Sequence, residues 1–246
     1  MQQTAQIFDD IVRARRSMRI YDAEAPFDSS SVERSIGRAL LSANSSNMQM
    51  WEFYRVSDPQ KIKDIAYFCM NQNAAKTARE LVIIAVPKRK WRARAKANFA
   101  YHHARYGNKP IAELDKRSQR KLKYFTTLMP MYYFQDWFGI WGGIRKLIVS
   151  VAAIWRPVVW QVSKQDLRVV CHKSAALAAQ TFMLSMQAEG YDTCPMEGFD
   201  SVRLRRYLKL PASTEFNMII SCGPGTTQGI YHERFRVPEN EVVFKI

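Results

Sequence analysis

Three guanidinium groups and a hydroxyl fall within five residues near the start of the chain, in Arg15-Arg16-Ser17-Met18-Arg19. That density of donors suits a dianionic phosphate, which guanidinium groups hold through charge-assisted, partly bidentate hydrogen bonds. Far along the sequence, Cys194-Pro195-Met196-Glu197-Gly198-Phe199 offers backbone rather than charge. Pro195 fixes φ and Gly198 allows close approach, so the segment reads as a stiff turn whose amides can face the edge of a planar ring. Taken alone, Arg15 and Arg16 also read as a solvated helix end, and Glu197 as a surface turn residue. The later pair in Arg234-Phe235-Arg236-Val237-Pro238 tips the arginines toward an anion site.

A fourth segment, Asn44-Ser45-Ser46-Asn47-Met48-Gln49-Met50-Trp51, completes a pattern whose order matters more than any one part. With an Arg-x-Ser-x-Arg segment, a Ser-x-Asn-x-Gln-x-Trp segment, a Pro-x-Glu-Gly-Phe segment and a terminal Arg-x-Arg-x-Pro in sequence, the chain resembles the FMN-dependent nitroreductase family. The resemblance runs over roughly residues 4–87 and 167–246 and lapses in the middle. It implies an α+β, three-layer fold with a mostly antiparallel central sheet flanked by helices, assembled as a homodimer. It also implies FMN as cofactor and NADH or NADPH as electron donor. By the same resemblance, Arg15, Ser17 and Arg19, with Arg16 beside them, would take the phosphate and ribityl end, and Arg234 and Arg236 would close on the phosphate. Asn71 would sit near the pyrimidine edge. Pro195, Met196, Glu197 and Gly198 would lie over the central edge, where an amide near Glu197 can donate to N5. Ser45, Asn47 and Gln49 would complete the partner's pocket in trans.

The implied reaction is ping-pong: hydride passes from the nicotinamide to the flavin, and a nitroaromatic, quinone or similar electron-poor acceptor then takes the donor's place. Solvent supplies protons, so no side chain is required as acid or base. The family pattern is altered at several positions, among them the Ala-Pro before the serines, which reads Ser42-Ala43 here. Asn44 stands for the first Ser, Met50 for Pro, and Ala74 for a Lys whose charge Lys76 could supply. Trp51 reads as core packing.

These segments must be positioned by the elements between them. Ile7, Phe8, Ile11 and Val12 have helical spacing, and the pattern predicts a helix from Ser30 to about Ala43, with a Ser30/Glu33 capping box and Val32, Ile36 and Leu40 on one face. Trp51 to Val56 alternates like a strand, and Leu81-Val82-Ile83-Ile84-Ala85-Val86 reads as a buried strand ended by Pro87. A long helix is predicted from Val169 to Glu189, with Gly190 as its C′ residue. Phe216 to Cys222 reads as another core strand and Val242-Val243-Phe244 as a last extended piece. Without strict βαβ repetition the class is α+β. The whole of 1–246 reads as one domain, with 88–166 as an insertion forming a lid, a dimer extension or a membrane-surface hairpin.

The net charge of +15 is concentrated in that insertion. Residues 88–166 hold 17 basic and four acidic side chains, net +13, while the remaining 20 basic and 18 acidic residues leave +2. Its first part, 88–123, is basic. Its second, 124–163, is dense in Tyr, Phe, Trp and aliphatic groups, including Tyr124, Phe125, Trp137 and Trp141. Asp136, Arg145, Lys146 and Arg156 interrupt that run too often for a membrane span, which needs about 20 apolar residues. An amphipathic hairpin at a lipid surface and a roof over the cofactor or dimer interface stay open as readings. A nucleic-acid- or membrane-binding protein on a non-catalytic flavin-fold scaffold is the alternative function. No recognisable nucleic-acid motif accompanies the charge, which weighs against nucleic acid.

Four cysteines, Cys69, Cys171, Cys194 and Cys222, lack C-x-x-C spacing and read as free buried thiols of a reducing compartment. The first 19 residues lack a signal-peptide core. The expectation is therefore a cytoplasmic protein, with peripheral attachment to the inner face of a membrane as the other placement. His102, His103, His172 and His232 form no metal-binding pattern.

Overall fold

The structure, a computed structural model, describes residues 2–134 and 138–246. Met1, Asp136 and Trp137 lie outside the described residues. The chain runs α1 (Gln2–Ala14), α2 (Ser30–Ala39), β1 (Glu52–Val56), α3 (Pro59–Phe68), α4 (Asn73–Lys76) and β2 (Glu80–Pro87). It continues through α5 (Trp91–Arg105), α6 (Lys116–Lys123), α7 (Met129–Tyr133), α8 (Ile140–Ala152) and α9 (Lys164–Ala188), then β3 (Asp192–Met196), α10 (Ser201–Tyr207) and β4 (Thr214–Gly223).

The four strands form one antiparallel sheet in the order β1-β2-β4-β3. Every residue of β2 is buried, as its unbroken apolar run predicts for a central strand. Strand alternation divides those side chains between two layers. Val82, Ile84 and Val86 join Cys171, Ala175, Ala178, Ala179, Phe182 and Met186 of α9, whose small residues let the helix lie close to the sheet. Leu81, Ile83 and Ala85 face the opposite way, against Ile62 and Ile65 of α3, Ala75 of α4 and Leu204 of α10. The result is the three-layer α+β arrangement expected from the sequence.

Several local expectations change. Helix α2 ends at Ala39 rather than Ala43, because the chain tightens into i→i+3 turns from Leu41 N to Arg38 O (3.1 Å) and from Ser42 N to Ala39 O (3.1 Å). Its Ser30/Glu33 capping box is absent. Asp28 accepts from both the Ser30 amide (2.9 Å) and the Ser30 hydroxyl (2.6 Å), which occupies that hydroxyl in a turn before the helix. Val32 is fully buried and Ile36 partly so, but Leu40 is half-exposed. Helix α9 starts five residues earlier than its apolar pattern suggests. Ser163 and Asp166 form a capping box there, which carries the helix through the polar residues Lys164, Gln165 and Arg168. At the other end Gly190 takes φ +84° as the C′ residue, as expected. Val242–Phe244 follows a 3-10 turn at Glu239–Glu241 and joins no ladder among the described residues, so it is not a strand. Pro195 and Met196 belong to β3 rather than to a turn. An edge strand tolerates the missing amide of Pro195.

The segment from residue 88 to 166 is helical wherever it is regular. Its Ala95, Phe125, Met129 and Tyr133 share a core cluster with α9 and β2. Trp91 stacks on Tyr133, and His102 on Phe125. The Arg145 guanidinium, buried near the middle of α8, donates to the carbonyls of Met131 (2.7 Å), Tyr132 (2.6 Å) and Phe134 (3.1 Å), tying α8 to the end of α7. The outer face of α8 leaves Ile140, Ile144, Leu147, Ile148 and Val151 exposed. Among the described residues no helix is long and apolar enough to cross a membrane.

Candidate functional site

The Arg15–Arg19 segment leaves α1 and runs along the free edge of β3. The Met18 amide donates to Thr193 O (3.0 Å), and Ser17 bridges Thr193 in parallel. On its other side the Arg19 amide donates to Gly229 O (2.8 Å). Close approach there depends on Gly229, since a Cβ at that position would collide with Met18 Sδ and the Ile20 carbonyl. The C-terminal segment is thus sewn to the N-terminal one, and side chains finish the seam. Arg234 Nη2 donates to the carbonyls of Arg13 (2.9 Å) and Arg15 (2.6 Å), and Arg16 Nη2 donates to His232 O.

This seam gathers Arg15, Arg16, Ser17, Arg19, Arg234 and Arg236 around one recess of about 270 Å³. Among the recess's lining residues Glu233 is the one carboxylate, against five arginines. The excess of like charge is visible in Arg15, whose guanidinium is held below the usual arginine range by burial and then by the charges of Arg234 and Arg236. A bound anion relieves that strain, and a dianion relieves it most. Both arginine segments predicted for one anion site therefore meet, although more than 200 residues separate them.

The β3 edge connects this recess to the Glu197-Gly198 turn. Gln72 Nε2 donates to Gly198 O (2.9 Å), and the Asp200 amide donates to Phe68 O (2.8 Å), so the turn is tied to both ends of the α3–α4 connection. Asp200 also caps α10 by accepting from the amides of Val202 (3.0 Å) and Arg203 (2.9 Å). Cys194, just upstream, is buried, and burial pushes its thiol up from the usual range. The other three cysteines are likewise buried and unpaired.

Asn71 sits at φ +55° and lines a separate recess with Met70, Asp200 and Arg203. Its neighbours carry the contacts toward the seam: Gln72 to Gly198, and Asn73 Nδ2 to the Tyr231 hydroxyl (3.1 Å). Asn73, Gly229 and Tyr231 stand outside the four sequence motifs. The signal available for the last two was their adjacency to Arg234.

Ser45, Asn47 and Gln49 do not line the arginine recess of their own chain. They form a strained turn, with positive φ at Ser46 (53°), Asn47 (52°) and Gln49 (48°). Asn44 Oδ1 braces it by accepting from the Gln49 amide (2.8 Å), so the residue that replaces the family's first Ser holds the turn closed. Asn47 exchanges hydrogen bonds with the buried Asn98 of α5 (2.8 and 2.9 Å), and the Ser46 and Tyr124 hydroxyls are hydrogen-bonded to each other. Ser45 and Ser46 border a cavity toward α8, and Gln49 borders another recess with Trp51 and Arg94. Trp51 is buried in the core, as expected. Among the described residues no cluster of His, Cys, Asp and Glu is suited to a metal ion.

Comparison with known proteins bears on the family and the fold. The model of the nitroreductase family matches residues 12–224. Protein DrgA of Synechocystis is 25% identical over 219 residues, covering 88% of this chain and 83% of its own. A putative NAD(P)H nitroreductase of Bacillus subtilis, MhqN, is 39% identical, but over 71 residues, 29% of this chain and 34% of its own length. In structure, the putative nitroreductase YdfN of B. subtilis superposes with TM-score 0.71 at 20% identity, covering 99% of this chain and all of its own. A putative nitroreductase from Exiguobacterium sibiricum, solved in complex with FMN, superposes with TM-score 0.68 at 19% identity over 97% of each chain. With the family model spanning most of the sequence, and a fold that carries both arginine segments to one recess, the chain belongs to the nitroreductase family.

Proposed function

We propose that this oxidoreductase is an FMN-dependent, homodimeric NAD(P)H enzyme acting by a ping-pong order on a nitroaromatic, quinone or similar electron-poor acceptor. The observation that carries the reading is the arginine recess, a buried-edge cluster of like charges joined through β3 to the Glu197-Gly198 turn. The residues fit the cofactor. Arg15, Arg16, Ser17, Arg19, Arg234 and Arg236 would hold the phosphate, and Pro195, Met196, Glu197 and Gly198 the ring's edge. Gln72 and Asn73 stand closer to that edge's supports than Asn71 does. Ser45, Asn47 and Gln49 would enter from the partner subunit. When bound, FMN supplies reversible two-electron redox chemistry, so that NAD(P)H, a proton and the acceptor give NAD(P)+ and the acceptor reduced by two electrons and two protons.

A dimer is favoured by α1, which buries none of its residues within the chain and exposes Ile7, Phe8 and Val12. The C-terminal stretch is exposed as well, including Phe235, Val242 and Phe244. Apolar surface on this scale marks a contact. Residues 1–246 would act as one domain, with 88–166 over the acceptor side. The exposed face of α8 favours a second reading in which this segment also rests on an anionic membrane surface. Flotation with anionic vesicles at low salt would retain the protein in that case and leave it free otherwise.

The deciding experiment for the first reading is the visible spectrum of the purified protein, recorded anaerobically before and after NADH and then NADPH, with the released cofactor identified. Bound FMN that bleaches supports the proposal and ranks the donors. A colourless protein that cannot be reconstituted with FMN sinks it.

A further inference from the structure

A second cavity, separate from the arginine recess, lies inside the 88–166 segment where it meets α9. It is partly open to solvent, with Ile148 and Val159 of its lining exposed, and holds about 730 Å³, within the range of roughly 300–1,000 Å³ usual for small-molecule sites. Its walls are mainly aliphatic and thioether side chains from α7, α8 and α9, such as Met129, Ile148, Val149 and Val170. The polar groups near it are largely committed. Tyr132 donates its hydroxyl to Gln161 O (3.1 Å), and Tyr124 is hydrogen-bonded to Ser46. Ser45 and Gln161 add neutral polar side chains, and the charged groups of the lining are two cations, Arg156 and Lys173. No Asp or Glu lines the cavity, and neither cation forms an ion pair among the described residues.

An apolar chamber with two uncompensated cations on its border selects a particular kind of molecule. A neutral apolar ligand would fill the chamber but leave the cations unused. A nucleotide or other polyanion would satisfy the cations but gain nothing from the aliphatic walls. We propose that this cavity binds an apolar monoanion, a molecule with an aliphatic or aromatic body and one carboxylate or equivalent head held by Arg156 and Lys173. Its floor includes Ser45 and Ser46, which belong to the same three-residue turn as Asn47. Resting on the oxidoreductase reading, this gives the cavity a second role, in which it holds the body of the acceptor next to the turn that reaches the partner's flavin. Arg156, Lys173 and the α8 wall are then specificity-determining residues. They choose the acceptor and take no part in the chemistry.

Binding and selection can be tested separately. Titration calorimetry of the purified protein with decanoate and 2-naphthoate, against decanol and 2-naphthol at the same pH, reads the site without any redox turnover. The carboxylates are expected to bind at least 10-fold more tightly than the alcohols. The double variant R156Q/K173Q is expected to remove that preference while leaving alcohol binding within about 2-fold. Both changed residues are exposed, so folding is not at risk. A152W, which narrows the chamber, is expected to weaken binding of both classes. No carboxylate binding, equal binding of acid and alcohol, or an unchanged preference in the double variant overturns the site. Selection is read with 6-nitro-2-naphthoate and 2-nitronaphthalene as acceptors. R156Q/K173Q should raise KM for the acid about 10-fold, with kcat and the neutral acceptor's KM within about 2-fold. An unchanged KM for the acid, in a protein that binds carboxylates, overturns the acceptor role while the site stands. A protein that binds carboxylates but cannot take up FMN overturns the oxidoreductase reading and the acceptor role with it, and leaves the binding site intact.

Discussion

The arginine recess and the 88–166 segment are the two basic regions of the molecule, and they hold their charge differently. In the recess, arginines are fixed by backbone contacts between parts of the chain more than 200 residues apart, and Arg15 bears the cost of burial and then of its like-charged neighbours. In the insertion, most of the 17 basic side chains stand on helix surfaces in water, where α6 carries five of them in eight residues. Water screens such charges and leaves them little energy to give a ligand, unless an apolar wall stands beside them as it does at Arg156. Charge becomes a site when the backbone holds it in place without a counterion. Density of charge along the sequence does not suffice.

The largest expected effect breaks or upholds that comparison directly. Each guanidinium–phosphate contact is worth about 1.5–3 kcal/mol. R15A/R234A should therefore weaken FMN binding on the order of 10²–10⁴-fold, as measured by quenching of FMN fluorescence on titration into apoprotein. R120A/K121A removes the same formal charge from α6 and should change the dissociation constant less than about 2-fold. Equal losses in the two variants would mean that net charge, and not the built recess, attracts the phosphate.

A third arrangement of charge, buried and paired, sharpens the contrast. Glu80 is 2% exposed and receives Arg55 through two nitrogens, Nε (2.6 Å) and Nη2 (2.9 Å), at the start of β2. Arg55 Nη2 also donates to Ser29 O (2.7 Å), which ties β1 to the start of α2. R55A strands a buried carboxylate and should cost about 3 kcal/mol or more in urea unfolding. R55M/E80L, which removes both charges, should recover most of that loss. If R55A cost under about 1 kcal/mol, Glu80 would have to be reaching water.

The sequence made some of this legible and hid the rest for physical reasons. Strands β2 and β4 and helix α9 were readable because burial imposes an unbroken apolar run or a long apolar helix. The Arg-x-Ser-x-Arg and Arg-x-Arg-x-Pro segments were readable because phosphate chemistry demands those side chains. Their meeting was not, since it rests on amide-to-carbonyl bonds such as Met18 to Thr193, which any residue type can make. The end of α2 was misplaced for a similar reason: its tight final turns are set by backbone geometry that Leu40 and Leu41 do not announce. In the insertion the aromatic and basic composition leaves a lid, a dimer extension and a membrane-surface hairpin equally open. Composition could not show that Phe125, Met129 and Tyr133 pack into the main core, or that Arg145 turns inward to cap three carbonyls. The cavity beside Arg156 and Lys173 follows from that packing alone.

The smallest expected effect concerns Glu215, where the insertion's first residue meets the main fold. Lys88 Nζ (2.5 Å), Arg168 Nε (2.8 Å) and His172 Nε2 (2.9 Å) all approach its carboxylate. Burial alone would raise its pKa, but the hydrogen bonds from His172 and Lys88 and the charges of Lys88 and Arg168 outweigh it and hold the group at about 2. A carboxylate depressed on folding from an ordinary value of 4.5 adds stability that is fully present above pH 4.5 and is lost as the pH falls through about 2. E215Q should therefore cost on the order of 1–2 kcal/mol at pH 7, discounted for partial exposure. The gap between variant and wild type should close between pH 4.5 and about 2. Asp28, through the Ser30 hydroxyl and then Arg34, and Glu189, through Arg34 and Arg38, also have pKa values lowered to about 2, but they titrate alike in both proteins and cancel in the difference. Urea unfolding at a series of pH values reads this directly. Curves that coincide at pH 7 would class the cluster with the solvated charges of α6, and the boundary between fixed and screened charge would have to be drawn nearer the arginine recess.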